Sequence, residues 1–85
     1  MRRAEVKVIH PLGLHARLAF ALTKISERFK STVTLGCDGR SGNGKDVMDI
    51  LALGAGPGST VIIETAGEDE EDALKSLKGF FRGYK

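Results

Sequence analysis

The chain has no tryptophan, one tyrosine, one cysteine, two prolines and two histidines among its 85 residues. A lone cysteine, Cys37, excludes an internal disulfide and a thiolate zinc cluster. It lies in an alternating apolar stretch and reads as a buried structural thiol. A small α+β nucleic-acid binder needs aromatics interleaved on an exposed sheet face, and this chain has too few. A net charge of +2 adds no strongly basic field. No run approaches the ~18 apolar residues of a membrane span. The opening "MRRAEVKVIH" has charge but no apolar leader core. The expectation is a cytoplasmic protein without membrane insertion or nucleic-acid partner. No G-x-S-x-G elbow is present, and one histidine with distant carboxylates makes no familiar metal site, so neither a metal nor a cofactor is expected.

What is present is an ordinary globular composition, 41% apolar and 28% charged, in a length that suits a single domain over residues 1–85, expected to be monomeric. "AEVKVI" (4–9) alternates as a half-buried strand. Pro11 and Gly13 punctuate a loop. From Ala16 to Phe29, the spacing of Leu18, Leu22, Ile25 and Phe29 predicts a helix with one core stripe. "STVTLGC" (31–37) is a strand, Asp38-Gly39 a hairpin turn, and 40–43 a short third strand. Asp46 caps a short helix, "DVMDILAL", which Gly54 and Pro57 end. "STVIIETA" (59–66) is the fourth strand. The final segment runs from acidic to basic, as a helix dipole favours, with Leu74, Leu77 and Phe81 as its stripe. The order β-α-β-β-α-β-α implies a two-layer α+β sandwich with a mostly antiparallel sheet.

One motif is a lookalike. "GRSGNGKD" (39–46) has the G-x-x-x-x-G-K spacing of a phosphate-binding loop, with Lys45 as its lysine. Asp46 stands where the magnesium-ligating hydroxyl belongs, and the segment is a turn plus weak strand in too short a chain for a parallel sheet. These glycines read as turn and strand-end residues.

The two histidines differ. His10 ends a strand before Pro11 and reads as an ordinary strand-end residue. His15 precedes the first helix, where unpaired N–H groups and the positive dipole end lie. By position alone it is a weak helix cap. On a wheel of about 100° per residue, Arg17, Phe20, Lys24 and Arg28 gather on the face away from the core stripe. Cations alone make a solvated face; an aromatic among them suggests a docking surface. Imidazole is a nucleophile near neutral pH, helix amides bind phosphate, and a guanidinium forks across its oxygens. The set suits phosphoryl transfer, and a protein that hands phosphate to another needs only an exposed rim.

The stretches "GLHARLA" (13–19) and "GKDVMDILALGAGPGSTVIIETAGEDEEDAL" (44–74) resemble HPr, the histidine-containing phosphocarrier family of the bacterial phosphoenolpyruvate:sugar phosphotransferase system. The family's G-x-H-A-R-P-A pattern matches at every fixed position but one. The resemblance implies an open-faced β-sandwich, a four-stranded sheet covered on one face by three helices. It implies a carrier and no enzyme in its own right. His15 would accept phosphate, at Nδ1, from enzyme I and pass it to IIA domains in sugar uptake; Arg17 would stabilise it, and the amides of Ala16, Arg17 and Leu18 would cradle it. Phe20, Lys24, Arg28, Val47, Met48 and Leu51 would form the docking patch. A regulatory variant of the family, serving nitrogen or carbon control through regulatory proteins, is the alternative. Two departures stand out. Leu18 replaces the usual proline, restoring an N–H that can join the cradle. Asp46 replaces a serine that a regulatory kinase phosphorylates in many members, and places a fixed negative charge beside Met48.

Overall fold

The period-two alternation builds four strands and the 3.6-residue stripes build three helices, here seen in a computed structural model that describes residues 1–83. Tyr84 and Lys85, at which the final helical segment of the sequence ends, lie outside the described residues. The elements are β1 (Arg2–Lys7), α1 (Ala16–Ser26), β2 (Thr32–Cys37), β3 (Arg40–Asn43), α2 (Val47–Ala52), β4 (Thr60–Ala66) and α3 (Glu70–Gly83). The sheet runs β1-β4-β2-β3 and every neighbouring pair is antiparallel, where the sequence implied mostly so.

Register puts one face of the sheet in the core. Val6 sits opposite Val61, and Leu35 opposite Ile63. These four and Val33 and Cys37 are buried. Their sequence neighbours Glu5, Lys7 and Thr32 are exposed. α3 packs on β1 and β4, α1 on α2 and α3, and α2 on β3, so the helices share the apolar face. Leu18, Leu22, Ile50, Leu77 and Phe81 fill the space between layers. Each such side chain contributes about 1.5–3 kcal/mol by leaving water. Cys37 is buried, and burial pushes its thiol pKa up, which suits an inert packing residue. At the β2–β3 turn Asp38 has φ 50° and Gly39 φ 81°, the paired positive values that a two-residue hairpin requires.

Three expectations shift. β1 begins at Arg2 and ends at Lys7, rather than spanning 4–9. Val8 is buried but leaves the ladder, bonding Ser59 and Gly58 of the turn before β4 instead. α1 stops at Ser26, short of Phe29. There the amides of Arg28 and Phe29 reach back three residues, to the carbonyls of Ile25 and Ser26, and the last turn tightens. The buried stripe is thus Leu18, Ala19, Leu22, Thr23 and Ser26, with Ile25 and Phe29 half-buried. Two polar members are tolerated because their hydroxyls donate to the carbonyls of Ala19 and Leu22. In α3 the stripe is Ala73, Leu77 and Phe81, and Leu74 is half-buried.

Candidate functional site

The loop from β1 to α1 is shaped around Gly13. Its φ of 68° is left-handed, and an added Cβ would lie 2.5 Å from the carbonyl oxygen of Ala55. That close approach lets Leu14 N–H donate to the same oxygen at 2.9 Å, so the 54–58 turn clamps the loop. Gly13 N–H donates to His10, and His15 N–H to Gly13. His15 thereby becomes the N-cap of α1, extended at φ −82° and ψ 174°, with its carbonyl accepting from Ala19.

Its side chain makes no capping hydrogen bond, so the imidazole is not employed as a helix cap. The first-turn amides of Ala16, Arg17 and Leu18 have no backbone acceptor among the described residues. Three donors and the positive end of an eleven-residue helix therefore converge beside the ring. The ring itself is half-exposed, but Nε2 is shut off from solvent and has no hydrogen-bond partner among the described residues. Partial burial, then the nearby His10, then the Arg17 guanidinium push the His15 pKa below its ordinary 6.5. Each cause disfavours the imidazolium. The outcome is a neutral, nucleophilic ring at neutral pH.

Arg17 is exposed and forms no hydrogen bond or ion pair among the described residues. Phe20 is 54% exposed, and Lys24 Nζ lies 5.1 Å from its ring centre, a cation–π contact on the outward face of α1. Arg28 is exposed but lies beyond the end of α1, so the helical wheel does not govern its direction. α2 packs beside α1 and presents Met48, 72% exposed. Val47 and Leu51 are half-buried and packed against the core, so each offers only part of its surface to a partner. Asp46 caps α2, its Oδ1 accepting from Met48 N at 2.9 Å and Asp49 N at 3.2 Å.

The lookalike loop is occupied by structure. Lys45 Nζ donates to the carbonyl of Phe29 at 2.8 Å, tying the end of α1 to the segment before α2. Gly44 packs on Val33, where a Cβ would meet Cγ1 at 2.4 Å. A phosphate finds neither the lysine nor the glycine amide available, because Gly44 N–H donates to Val33. No group of three or more metal-binding side chains occurs among the described residues, and no helix there is long and apolar enough to cross a membrane.

Sequence reasoning missed one neighbour of the site. His10 is no ordinary strand-end residue: its ring centre lies 4.6 Å from that of His15, tilted by 50°. Leu12 and Ile9 are exposed apolar residues in the same loop, at 71% and 48%. The signal was in "HPLGLH": a proline and a left-handed glycine fold the chain back and bring its two histidines together.

Comparison with known proteins finds relatives over almost the whole chain. Residues 2–82 match the family described as the PTS HPr component phosphorylation site. The chain is 40% identical over 77 residues to a phosphocarrier protein HPr of Cupriavidus necator, covering 91% of this chain and 86% of that one. It is 35% identical to an HPr-like protein Crh of Halalkalibacterium halodurans, covering 94% and 95%. The crystal structure of HPr-C-His from Thermoanaerobacter tengcongensis superposes with a TM-score of 0.93 at 30% identity, covering 96% and 92%.

Proposed function

The chain belongs to the HPr family of phosphocarriers of the phosphotransferase system, and from that premise we propose that His15 accepts a phosphoryl group from enzyme I, charged by phosphoenolpyruvate, and delivers it to IIA domains in sugar uptake. The observation that carries the assignment is the state of His15: a neutral imidazole at the head of α1, beside three amides without acceptors and the Arg17 guanidinium.

The accepting nitrogen in this proposal is Nδ1, because Nε2 is closed to solvent and to an incoming phosphorus. The Nδ1 lone pair forms the bond to phosphorus as the donor's bond breaks, and the donor's leaving group departs with the electron pair. Nε2 keeps the proton of the neutral ring. The amides of Ala16, Arg17 and Leu18 meet the equatorial oxygens together with Arg17, supplying fixed charge where negative charge accumulates. The group then passes to the next protein by the reverse displacement. Phe20 and Met48, with Lys24 and Arg28 and the accessible parts of Val47 and Leu51, form the surface on which donor and acceptor dock in turn. In this proposal the carrier works as a monomer and needs no cofactor. It turns nothing over by itself, and works in the cytoplasm.

Incubation with phosphoenolpyruvate and enzyme I, followed by mass spectrometry, tests the proposal. The expected product is an acid-labile phosphate that vanishes in His15→Ala. An unmodified wild-type chain would sink it. The likeness to an HPr-like protein, together with Asp46 at the regulatory position, supports a second reading in which phospho-His15 serves nitrogen or carbon control. Adding a IIA domain separates the two: transfer supports the sugar branch, and retention of the phosphate on His15 supports the regulatory one.

A further inference from the structure

We propose that His10 is a second phosphoryl-binding residue, contacting the group carried on His15 from the loop side as Arg17 contacts it from the helix side. The inference rests on the phosphocarrier reading and adds a residue to it.

The geometry has two parts. His10 Nδ1 accepts the N–H of Leu12 at 3.1 Å, and the His10 carbonyl accepts from Gly13 at 3.0 Å. These bonds fix both the turn and the ring. A nitrogen that accepts carries no proton, so the neutral ring bears its proton on Nε2, at the far side from Leu12. That ring stands 4.6 Å from the His15 ring, centre to centre, and is tilted rather than stacked flat. At that separation a phosphoryl group carried on His15 would come within reach of the His10 ring.

The electrostatics favour the charged product. In the free protein His10 disfavours the His15 imidazolium, so the acceptor stays neutral. Once His15 carries a phosphoryl dianion, an N–H donor beside it becomes an attractive partner. The charged or titratable groups that act on His15 are His10 from the loop and Arg17 from α1. The 54–58 turn that clamps the loop, "GAGPG", has no titratable side chain to oppose them. No bond to phosphorus forms at His10; it binds the group and leaves the transfer chemistry to His15.

The test uses the full chain phosphorylated with phosphoramidate, which modifies accessible imidazoles without enzyme I. Phosphorus NMR then follows the last ionisation of the phosphoryl group on His15 in wild type, His10→Ala and His10→Asn. A neighbouring donor or cation favours the dianion, so the midpoint should rise by about half a pH unit in His10→Ala. Asparagine can keep the Leu12 N–H acceptor, and hence the turn, while removing the ring. His10→Asn should therefore titrate like His10→Ala. Coincident midpoints in all three proteins, or a His10→Asn midpoint equal to wild type, would overturn the proposal. Failure of enzyme I to phosphorylate the wild type would instead defeat the carrier reading and leave the phosphoramidate measurement intact.

Discussion

Asp69, one residue ahead of α3, receives both the hydroxyl and the backbone N–H of Ser31, the residue ahead of β2. Its other oxygen accepts from Lys30 N at 2.9 Å. One carboxylate thus joins the end of the α1–β2 connection to the start of the last helix, more than thirty positions later. The Ser31 hydroxyl first, and the Lys30 amide after it, hold the Asp69 pKa down from 3.8 to about 2. A depressed carboxylate pKa stabilises the fold above the unfolded value and loses that contribution as the folded group is protonated. Wild-type stability should fall between about pH 4 and pH 2, and Asp69→Asn should be less stable at neutral pH with a flatter profile across that window. Urea unfolding at a series of pH values measures both. Parallel profiles would remove Asp69 as the acid-sensitive lock.

The lowered His15 pKa carries a kinetic expectation. The neutral ring is the nucleophile, so the acid-side decline of phosphoryl acceptance should have its midpoint below that of an ordinary histidine. Relaxing the neighbouring positive charge should move the decline toward neutral pH, as in Arg17→Ala. That variant should also accept phosphate about ten- to a hundredfold more slowly, by loss of a charge-assisted contact to the phosphoryl oxygens. Initial rates with enzyme I across pH 5 to 8 report both effects. A rate that follows free histidine, or an Arg17→Ala variant at wild-type speed, would contradict the arrangement.

The strands were readable because alternation of valine, isoleucine and threonine survives even where one sheet face is open to solvent. The hairpin was readable because Asp38-Gly39 permits two consecutive positive φ values. The first helix was misjudged at its end. Phe29 kept the apolar spacing, but the stripe that packs includes Thr23 and Ser26, whose hydroxyls satisfy themselves on the preceding turn. Periodicity counts apolar residues and overlooks a polar one that carries its own partner. His15 and Arg17 are next but one in sequence and share a local motif. The His10 contact depends on the path of a loop that Gly13 can follow only because it has no side chain to strike Ala55. A one-dimensional pattern does not contain that path.

Leu18 is 2% exposed and part of the core, and it also supplies a first-turn amide without an acceptor. Replacing it with proline separates these roles from the helix, since proline is tolerated in a first turn. Leu18→Pro should lose about 1–3 kcal/mol through the smaller side chain, measured by denaturant unfolding. It should also lower the fraction of phospho-His15 at equilibrium with enzyme I by several fold, through the missing donor. Unchanged hydrolysis and transfer rates of phospho-His15 would show that the Leu18 amide takes no part in the cradle.

Asp46 sets the last expectation, because its two functions separate cleanly. As a cap it holds the amides of Met48 and Asp49, and serine can do the same, so Asp46→Ser should change stability little while Asp46→Ala costs about 1 kcal/mol. As a charge it stands two residues from Met48, the exposed large apolar side chain of α2. An enzyme I that docks on this apolar surface with negative charge of its own is repelled by Asp46, and the repulsion is largest at low ionic strength. Asp46→Ser should therefore be phosphorylated faster than wild type at low salt, with the difference shrinking as salt rises past the point where the Debye length falls below about 10 Å. Asp46→Asn keeps the cap and removes the charge, and should match Asp46→Ser. Equal initial rates for all three at low salt would show that the partner does not sense the charge of Asp46, and slower Asp46→Ser and Asp46→Asn would show that it meets Asp46 with a complementary cation.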